Sequence, residues 1–404
     1  MDKTQETKKQ SLLFIIILGA LTAIGALSID MFLPGLPQIQ TDFNTTTSNA
    51  QLTLSFFMIG LALGNLFIGP ISDAIGRKMP LTIAMSLFTL ASIGIIFVDN
   101  IWIMVSLRFV QGFCGGAAAV ISRAISSDLY SGKQLTKFLA LLMLVNGVAP
   151  VIAPALGGVI LSFATWRMVF VILSIFGLCM LAGALFKVNE SLPVERRDSP
   201  HLLSIFKNFK DLLVTPRFVL PMLIQGVTFI MLFSYISASP FLTQKIYGLS
   251  AQQFSIMFAC VGISLIISSQ TTGKLVDFVE RLTLLRLLTI VQLVGVVWVS
   301  ITLMTHLSIW LLFIGFIILV APVTGVATLG FSIAMEERTG GNGSASSLLG
   351  LVQSLLGGIV TPLVGLFGET NFVPYVVIII ISGTLLIILQ ILNYFVFKTK
   401  QQSY

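Results

Sequence analysis

Apolar runs of about twenty residues with at most one charge each, separated by short polar breaks, recur from Leu12 almost to Phe397. An α-helix rises about 1.5 Å per residue, so about 20 apolar residues cross the hydrocarbon core of a bilayer. Twelve runs reach that length, over 12–38, 49–70, 80–98, 101–122, 138–162, 166–186, 218–242, 252–273, 287–304, 308–334, 345–368 and 372–396. Helices of a large soluble protein would keep a wetted side, and these runs have almost none. Lys8 and Lys9 precede the first run as they would a signal peptide, but the run continues past Asp30 to Pro37 without a convincing cleavage site, so it reads as a retained first span. The pattern predicts an all-α integral membrane protein of twelve transmembrane helices.

Composition agrees. The chain is 56% hydrophobic and 10% charged, against roughly 25% charged in soluble domains, and its mean hydropathy is +1.00. The net charge of +7 is unevenly spread. With twelve spans, one side collects Lys3, Lys8, Lys9, Arg77, Lys78, Arg123, Lys133, Lys137, the basic residues of 187–217 and 274–286, Arg338, Lys398 and Lys400; the other holds Arg167 and Lys245. Cytoplasmic loops carry the Lys/Arg excess, so both termini are expected in the cytoplasm, with the chain in the cell membrane. The basic balance thus reports topology and not nucleic acid, for which there is no soluble basic face. Cys114, Cys179 and Cys260 are scattered through apolar helices with no disulfide or metal spacing. No phosphate-binding glycine loop occurs, and no cofactor or metal is expected.

The long polar stretch from about Glu190 to Pro216 divides the spans six and six. The expected organisation is an N-terminal half at 1–188, a linker at 189–216 and a C-terminal half at 217–404. The halves echo each other: Gly69, Asp73 and Arg77 in GPISDAIGR repeat as Gly273, Asp277 and Arg281 in GKLVDFVER, each after the second span of its half. Such parallel repeats mark many transporters. Inside the spans, two charges stand out. Asp30 and Arg108 each lie roughly 10 Å from the outer end of their helices at 1.5 Å per residue, and matched depth permits pairing. Buried charges of this kind are costly and need a partner or a task.

Twelve spans in two halves, with GPISDAIGRK between spans two and three, resemble the major facilitator superfamily. Its loop motif matches Gly69, Asp73, Gly76, Arg77 and Lys78, with Ala74 where a basic residue is usual. The resemblance implies two pseudo-symmetric six-helix halves and a loop that latches the cytoplasmic side. Arg108, Gln111 and Gly112 look like the R-x-x-Q-G motif of proton-coupled members. Asn146, Gly147, Pro150, Pro154, Gly157 and Gly158 in span five look like the glycine–proline motif of drug:proton antiporters, where glycines make a helix groove and prolines bend the span. SIDMFLPGLP around Asp30 and FSYISASPFLTQKIYGLS, in span seven and just after it, resemble the bicyclomycin and chloramphenicol resistance branch.

The resemblance implies drug:proton exchange by alternating access, with small amphipathic antibiotics such as phenicols or bicyclomycin as substrates. Asp30 is the expected proton carrier: a low dielectric favours its neutral form and a nearby Arg108 its charged form. One proton at 100 mV supplies about 2.3 kcal/mol, enough for a gradient of about 50-fold in a neutral drug. A midplane pocket between the halves is expected to use Met58, Asn146, Gln225, Phe229, Phe233 and Tyr235, because aromatics and methionine offer adaptable apolar surface; Phe331 and Gln353 carry less weight. A monomer is expected. The alternatives are a proton-coupled nutrient importer on the same fold, against which the span-five motif argues, and a membrane enzyme, for which clustered polar catalytic groups are missing.

Overall fold

The computed structural model describes residues 12–130, 132–197, 209–337 and 342–401. Every regular element among them is helical. Helix α1 (Leu12–Asp30) leads through a 3-10 turn at Leu33–Gly35 into the short α2 (Leu36–Asp42). There follow α3 (Thr47–Ile75), α4 (Lys78–Ile96), α5 (Ile101–Leu129), α6 (Gly132–Leu161) and α7 (Arg167–Phe186), and then α8 (Pro216–Phe241), α9 (Ala251–Leu275) and α10 (Arg281–Met304). The chain ends with α11 (Ile309–Val320), α12 (Pro322–Glu336), α13 (Asn342–Val360) and α14 (Val373–Gln401). Helices α1 and α2 form one span, as do α11 and α12, which break at Ala321 because the ring of Pro322 cannot continue the hydrogen-bond ladder.

Among the described residues, 11 spans are long and apolar enough to cross a membrane, and α6 supplies a shorter apolar stretch at Val148–Leu161. The apolar runs of the sequence are thus the helices, but the helices outlast the runs. The first span continues to Asp42 and not 38, α3 to Ile75 and α5 to Leu129. At their other ends helices begin at polar caps that lie outside the apolar runs. Thr46 accepts the Asn49 amide at the start of α3, and Ser250 with Gln253 forms a capping box at the start of α9.

The molecule is inside-out relative to a soluble protein. Leu90, Trp310 and Ile381 are more than half exposed on the periphery, whereas Ser92, Arg108, Gln111 and Gln292 are buried. Small residues bring the helices together. Gly60 and Gly64 of α3 lie against the backbone at Phe109 and Phe113 of α5, and Gly112 and Gly116 of α5 lie against Phe57 and Leu61 of α3. This reciprocal pair of small-x-x-x-small patterns lets two backbones touch where hydrocarbon offers no hydrophobic drive to association.

The first six spans meet the last six along α6 with α9 and α3 with α13. Their cross-links gather at the end of the bundle remote from the chain termini. Gln51 Nε2 donates to the Ser237 carbonyl at 3.2 Å, Ser48 Oγ to that of Pro362 at 2.8 Å, and Gln244 Nε2 to that of Pro34 at 3.0 Å. Ser55 Oγ bonds the Gly358 carbonyl. Away from this seal the two sets of spans part around internal space.

Candidate functional site

Two cavities lie between the first and the last six spans. The first, about 460 Å³, is walled mainly by apolar side chains, among them Leu61, Leu142, Leu232, Phe233 and Phe258. Thr22, Gly25, Ala26 and Ile29 face it as one stripe of α1, with Asp30 at the edge of that stripe. The second, about 650 Å³, is more polar, with Gln225, Thr328, Ser346, Ser347, Gln353 and Ser354 on its walls. Asn65 and Arg123 line both cavities, so the two meet there.

Asp30 and Arg108 do not pair. Arg108 Nη1 donates to Gln111 Oε1 at 2.6 Å and to the Ser28 carbonyl at 3.1 Å, and Nε donates to the Thr53 carbonyl at 3.3 Å. The guanidinium also sits 4.3 Å from the Phe57 ring centroid and 4.4 Å from that of Phe32. Backbone oxygens, one amide and two ring faces therefore hold the cation in place of a carboxylate. Matched depth was not enough, because helical phase also counts. Residues two apart on a helix are roughly 200° apart around its axis, so the face that presents Ser28 to α5 turns Asp30 away, toward the cavity and the last six spans. Gln111 extends the buried chain by donating to Ser92 Oγ at 2.8 Å.

Tyr235 shares the first cavity with Asp30. Its ring stacks on Phe258 at 5.6 Å and meets Phe316 edge-on at 4.9 Å. Phe233 also lines this cavity; its ring is 6.0 Å from that of Phe229, which lines neither. Gln225 lines the second cavity, with its Oε1 buried and unbonded. Met58 is a correction: it packs against Gly357 in the seam of α3 with α13 and lines neither cavity, because its stretch of α3 faces α13 across that seam. Phe331 and Gln353, weighted lightly in the sequence, line the second cavity. The side chain of Asn146 and the surroundings of Gly147 lie outside what the structure describes. Further along α6, Pro150 lines the first cavity, and its carbonyl lies 3.3 Å from where a Cβ on Gly262 would stand. Pro154 is buried, Gly157 lies against the Met31 backbone, and Gly158 against Ser255 and Gln252 of α9.

The loop motif forms an ionic cluster at the terminus-bearing end. Arg77 Nη2 is 2.6 Å from Asp73 Oδ1, its Nε is 3.0 Å from Asp128 Oδ2, and its Nη1 donates to Ser72 Oγ at 2.7 Å. Glu190 accepts the backbone amides of Arg77 at 2.8 Å and Lys78 at 3.2 Å, and Lys78 Nζ donates to the Leu185 carbonyl. Gly76 has φ 103°, and a Cβ there would stand 2.5 Å from Glu190 Oε2, so both the turn and the cluster need glycine. Gly69 approaches Val120 of α5. The internal repeat has a counterpart: Arg281 pairs with Glu336 at 2.5 Å and donates to Ser332, as Arg77 does with Asp128 and Ser72. The partners Asp128 and Glu190 were missed in the sequence, as were Asn65, Arg123 and Phe258. Asp128 had a signal: it closes the fourth span of its half, as Glu336 closes the fourth of the other.

Glu190 gives a pH test. Partial burial alone would raise its carboxyl, but the amides of Arg77, Leu192 and Lys78 and the charge of Arg197 together hold it below its ordinary value of 4.5. A depressed carboxyl contributes stability that is complete above the unfolded value and lost as pH falls through the folded one. Hydrogen exchange at the Arg77 and Lys78 amides is therefore expected to stay slow, after correction for intrinsic rates, from pH 7 down to about 4.5 and to speed up below it. Glu190→Gln is expected to show the faster exchange at every pH; equal protection in the variant would remove Glu190 from the cluster.

Comparison with known proteins follows this geometry. Residues 18–362 match the family model described as Major Facilitator Superfamily. The chain is 38% identical over 381 residues to an uncharacterized MFS-type transporter, YdgK, of Bacillus subtilis (strain 168), covering 94% of each chain. It is 31% identical to a bicyclomycin resistance protein homolog of Haemophilus influenzae, over 88% of this chain and 90% of the relative. Multidrug resistance protein MdtL of Salmonella paratyphi C (strain RKS4594) is 30% identical, with 84% and 85% covered. Among solved structures, a bacterial homolog to the human lysosomal transporter Spinster, in an inward-facing and occupied conformation, superposes with a TM-score of 0.73 at 15% identity, over 95% of this chain and 96% of that one.

Proposed function

This multi-pass membrane chain belongs to the major facilitator superfamily of transporters, and from that premise we propose that it is a proton-coupled exporter of small amphipathic antibiotics such as phenicols or bicyclomycin. The carrying observation is Asp30, a carboxyl set at the edge of a mainly apolar cavity between the first and last six spans. An apolar pocket with a few polar groups suits small amphipathic ligands, and a carboxyl within it can exchange a proton for a drug. The names of the relatives, a bicyclomycin resistance homolog and a multidrug resistance protein, support export.

In this account the halves 1–188 and 217–404 rock about the pocket, and 189–216 links them. Asp30 carries the proton, while Arg108 braces the pocket through its hold on Ser28 and Thr53. Phe233 and Tyr235 contact the drug in the first cavity and Gln225 in the second, with Phe229, behind Phe233, and Asn146 in support. The cluster of Gly69, Asp73, Gly76, Arg77 and Lys78 gates the terminus-bearing side. Gly147, Pro150, Pro154, Gly157 and Gly158 form the seam that bends. The protein works as a monomer in the cytoplasmic membrane, with both termini in the cytoplasm.

Expression in a drug-sensitive bacterial host tests this reading. The inhibitory concentrations of bicyclomycin and chloramphenicol are expected to rise severalfold, and a protonophore to cancel the rise. Unchanged drug sensitivity, with proton-dependent accumulation of a nutrient, would support the importer instead.

A further inference from the structure

Arg123 stands where the two cavities meet, and among the described residues lining them it is the only cation. Its side chain is exposed to that space, and no acidic residue among those described pairs with it. Two contacts fix it: Nε donates to the Ala119 carbonyl at 3.2 Å, and Nη2 to Asn65 Oδ1 at 3.2 Å. Asn65 is itself held, because its Nδ2 donates to the Leu61 carbonyl at 3.0 Å. A guanidinium carries five N–H donors in a planar fork. Nε and one hydrogen of Nη2 are used, which leaves three donors with no acceptor among the described residues. An oriented, unpaired arginine beside an apolar cavity is a recognition group awaiting acceptors from a ligand.

We propose that Arg123, positioned by Asn65, recognises a strong hydrogen-bond acceptor such as a nitro, sulfonyl or carbonyl group on an uncharged substrate, and discriminates against lipophilic cations. The inference rests on the export reading, and electrostatics then chooses the charge of the substrate. A cation meets repulsion from Arg123. An anion in the cavity of Asp30 would favour a proton on that carboxyl and so bind together with it, which couples drug and proton in one direction. An uncharged acceptor engages Arg123 without that penalty and leaves the proton and the drug free to alternate.

The test uses the full-length protein in proteoliposomes with an imposed proton gradient. The probes are matched aromatic compounds that differ in one group: a neutral sulfone, the hydrocarbon analogue, a carboxylate and a trimethylammonium. The wild type is expected to move the sulfone faster than the hydrocarbon and the cation by about tenfold, the worth of one charge-assisted hydrogen bond. Arg123→Gln is expected to erase the preference, and Arg123→Lys to keep part of it. The inference is overturned by equal transport of cation and sulfone in wild type, by an unchanged preference in Arg123→Gln, or by the carboxylate moving in the same direction as the proton. Export in wild type without any preference would sink this inference alone; no export of any probe would sink the export reading with it.

Discussion

Asp30→Asn is expected to abolish proton-driven drug accumulation. The amide keeps the shape and polarity of the neutral acid but has no proton to release, and Asp30 has no ion pair among the described residues whose loss would unfold the helix. One proton at 100 mV supports a gradient of about 50-fold in a neutral drug, and the variant should accumulate none. Drug-for-drug exchange across the same vesicle membrane is expected to persist, because it needs the pocket and the rocking motion but no proton. Measuring both in proteoliposomes separates coupling from binding. Loss of both activities would make Asp30 part of the binding surface, and retention of both would move proton coupling to another group. Arg108 Nε and Nη1 are committed to Thr53, Ser28 and Gln111, and its Nη2 is buried without a partner among the described residues.

Gly112→Ala is expected to cost about 3 kcal/mol, at the upper end of overpacking penalties, and Gly112→Leu to prevent folding. A Cβ at this position would lie 2.8 Å from the Phe57 carbonyl carbon and 2.9 Å from its Cα, atoms of a helix backbone that cannot turn aside. The crossing of α3 and α5 would have to open at Gly60, Gly64 and Gly116 as well. Arg108 lies one turn from Gly112 on α5, so its bond to Thr53 on α3 would open with the crossing. Gly273→Ala serves as the control, because nothing lies within 4 Å of the position of its Cβ. Thermal unfolding in detergent and elution as a single species on size exclusion are the measurements. A Gly112→Ala protein as stable as wild type would show that the two backbones do not touch.

The spans were legible because hydrophobic length alone defines a bilayer-crossing helix. Their ends were not, since Thr46 and Ser250 act through cap hydrogen bonds that hydropathy does not register. Gly112 was visible within R-x-x-Q-G, yet its packing role emerges only beside Gly60 and Gly64 on the facing helix. Asp30 and Arg108 were recognisable as costly intramembrane charges, but depth counted from helix ends ignores rotation about the axis, and rotation separates them. Tyr235, Phe233 and Gln225 were picked for their chemistry and do line the cavities, whereas Met58 has the same chemistry and turns into a seam. Arg123 had been counted only as a basic residue of the cytoplasmic side. Its approach to Asn65 joins residues 58 apart in the chain and comes only with the crossing of α3 and α5.

The central claim is exchange of a drug against a proton. Energised inside-out membrane vesicles, acid inside and loaded with a pH-reporting dye, test it when phenicols and bicyclomycin are added in turn. The account predicts that at least one compound releases protons from vesicles that contain the protein and from no others. Protons carried inward together with the compound, or no proton movement with any compound while a known antiporter responds, would contradict it.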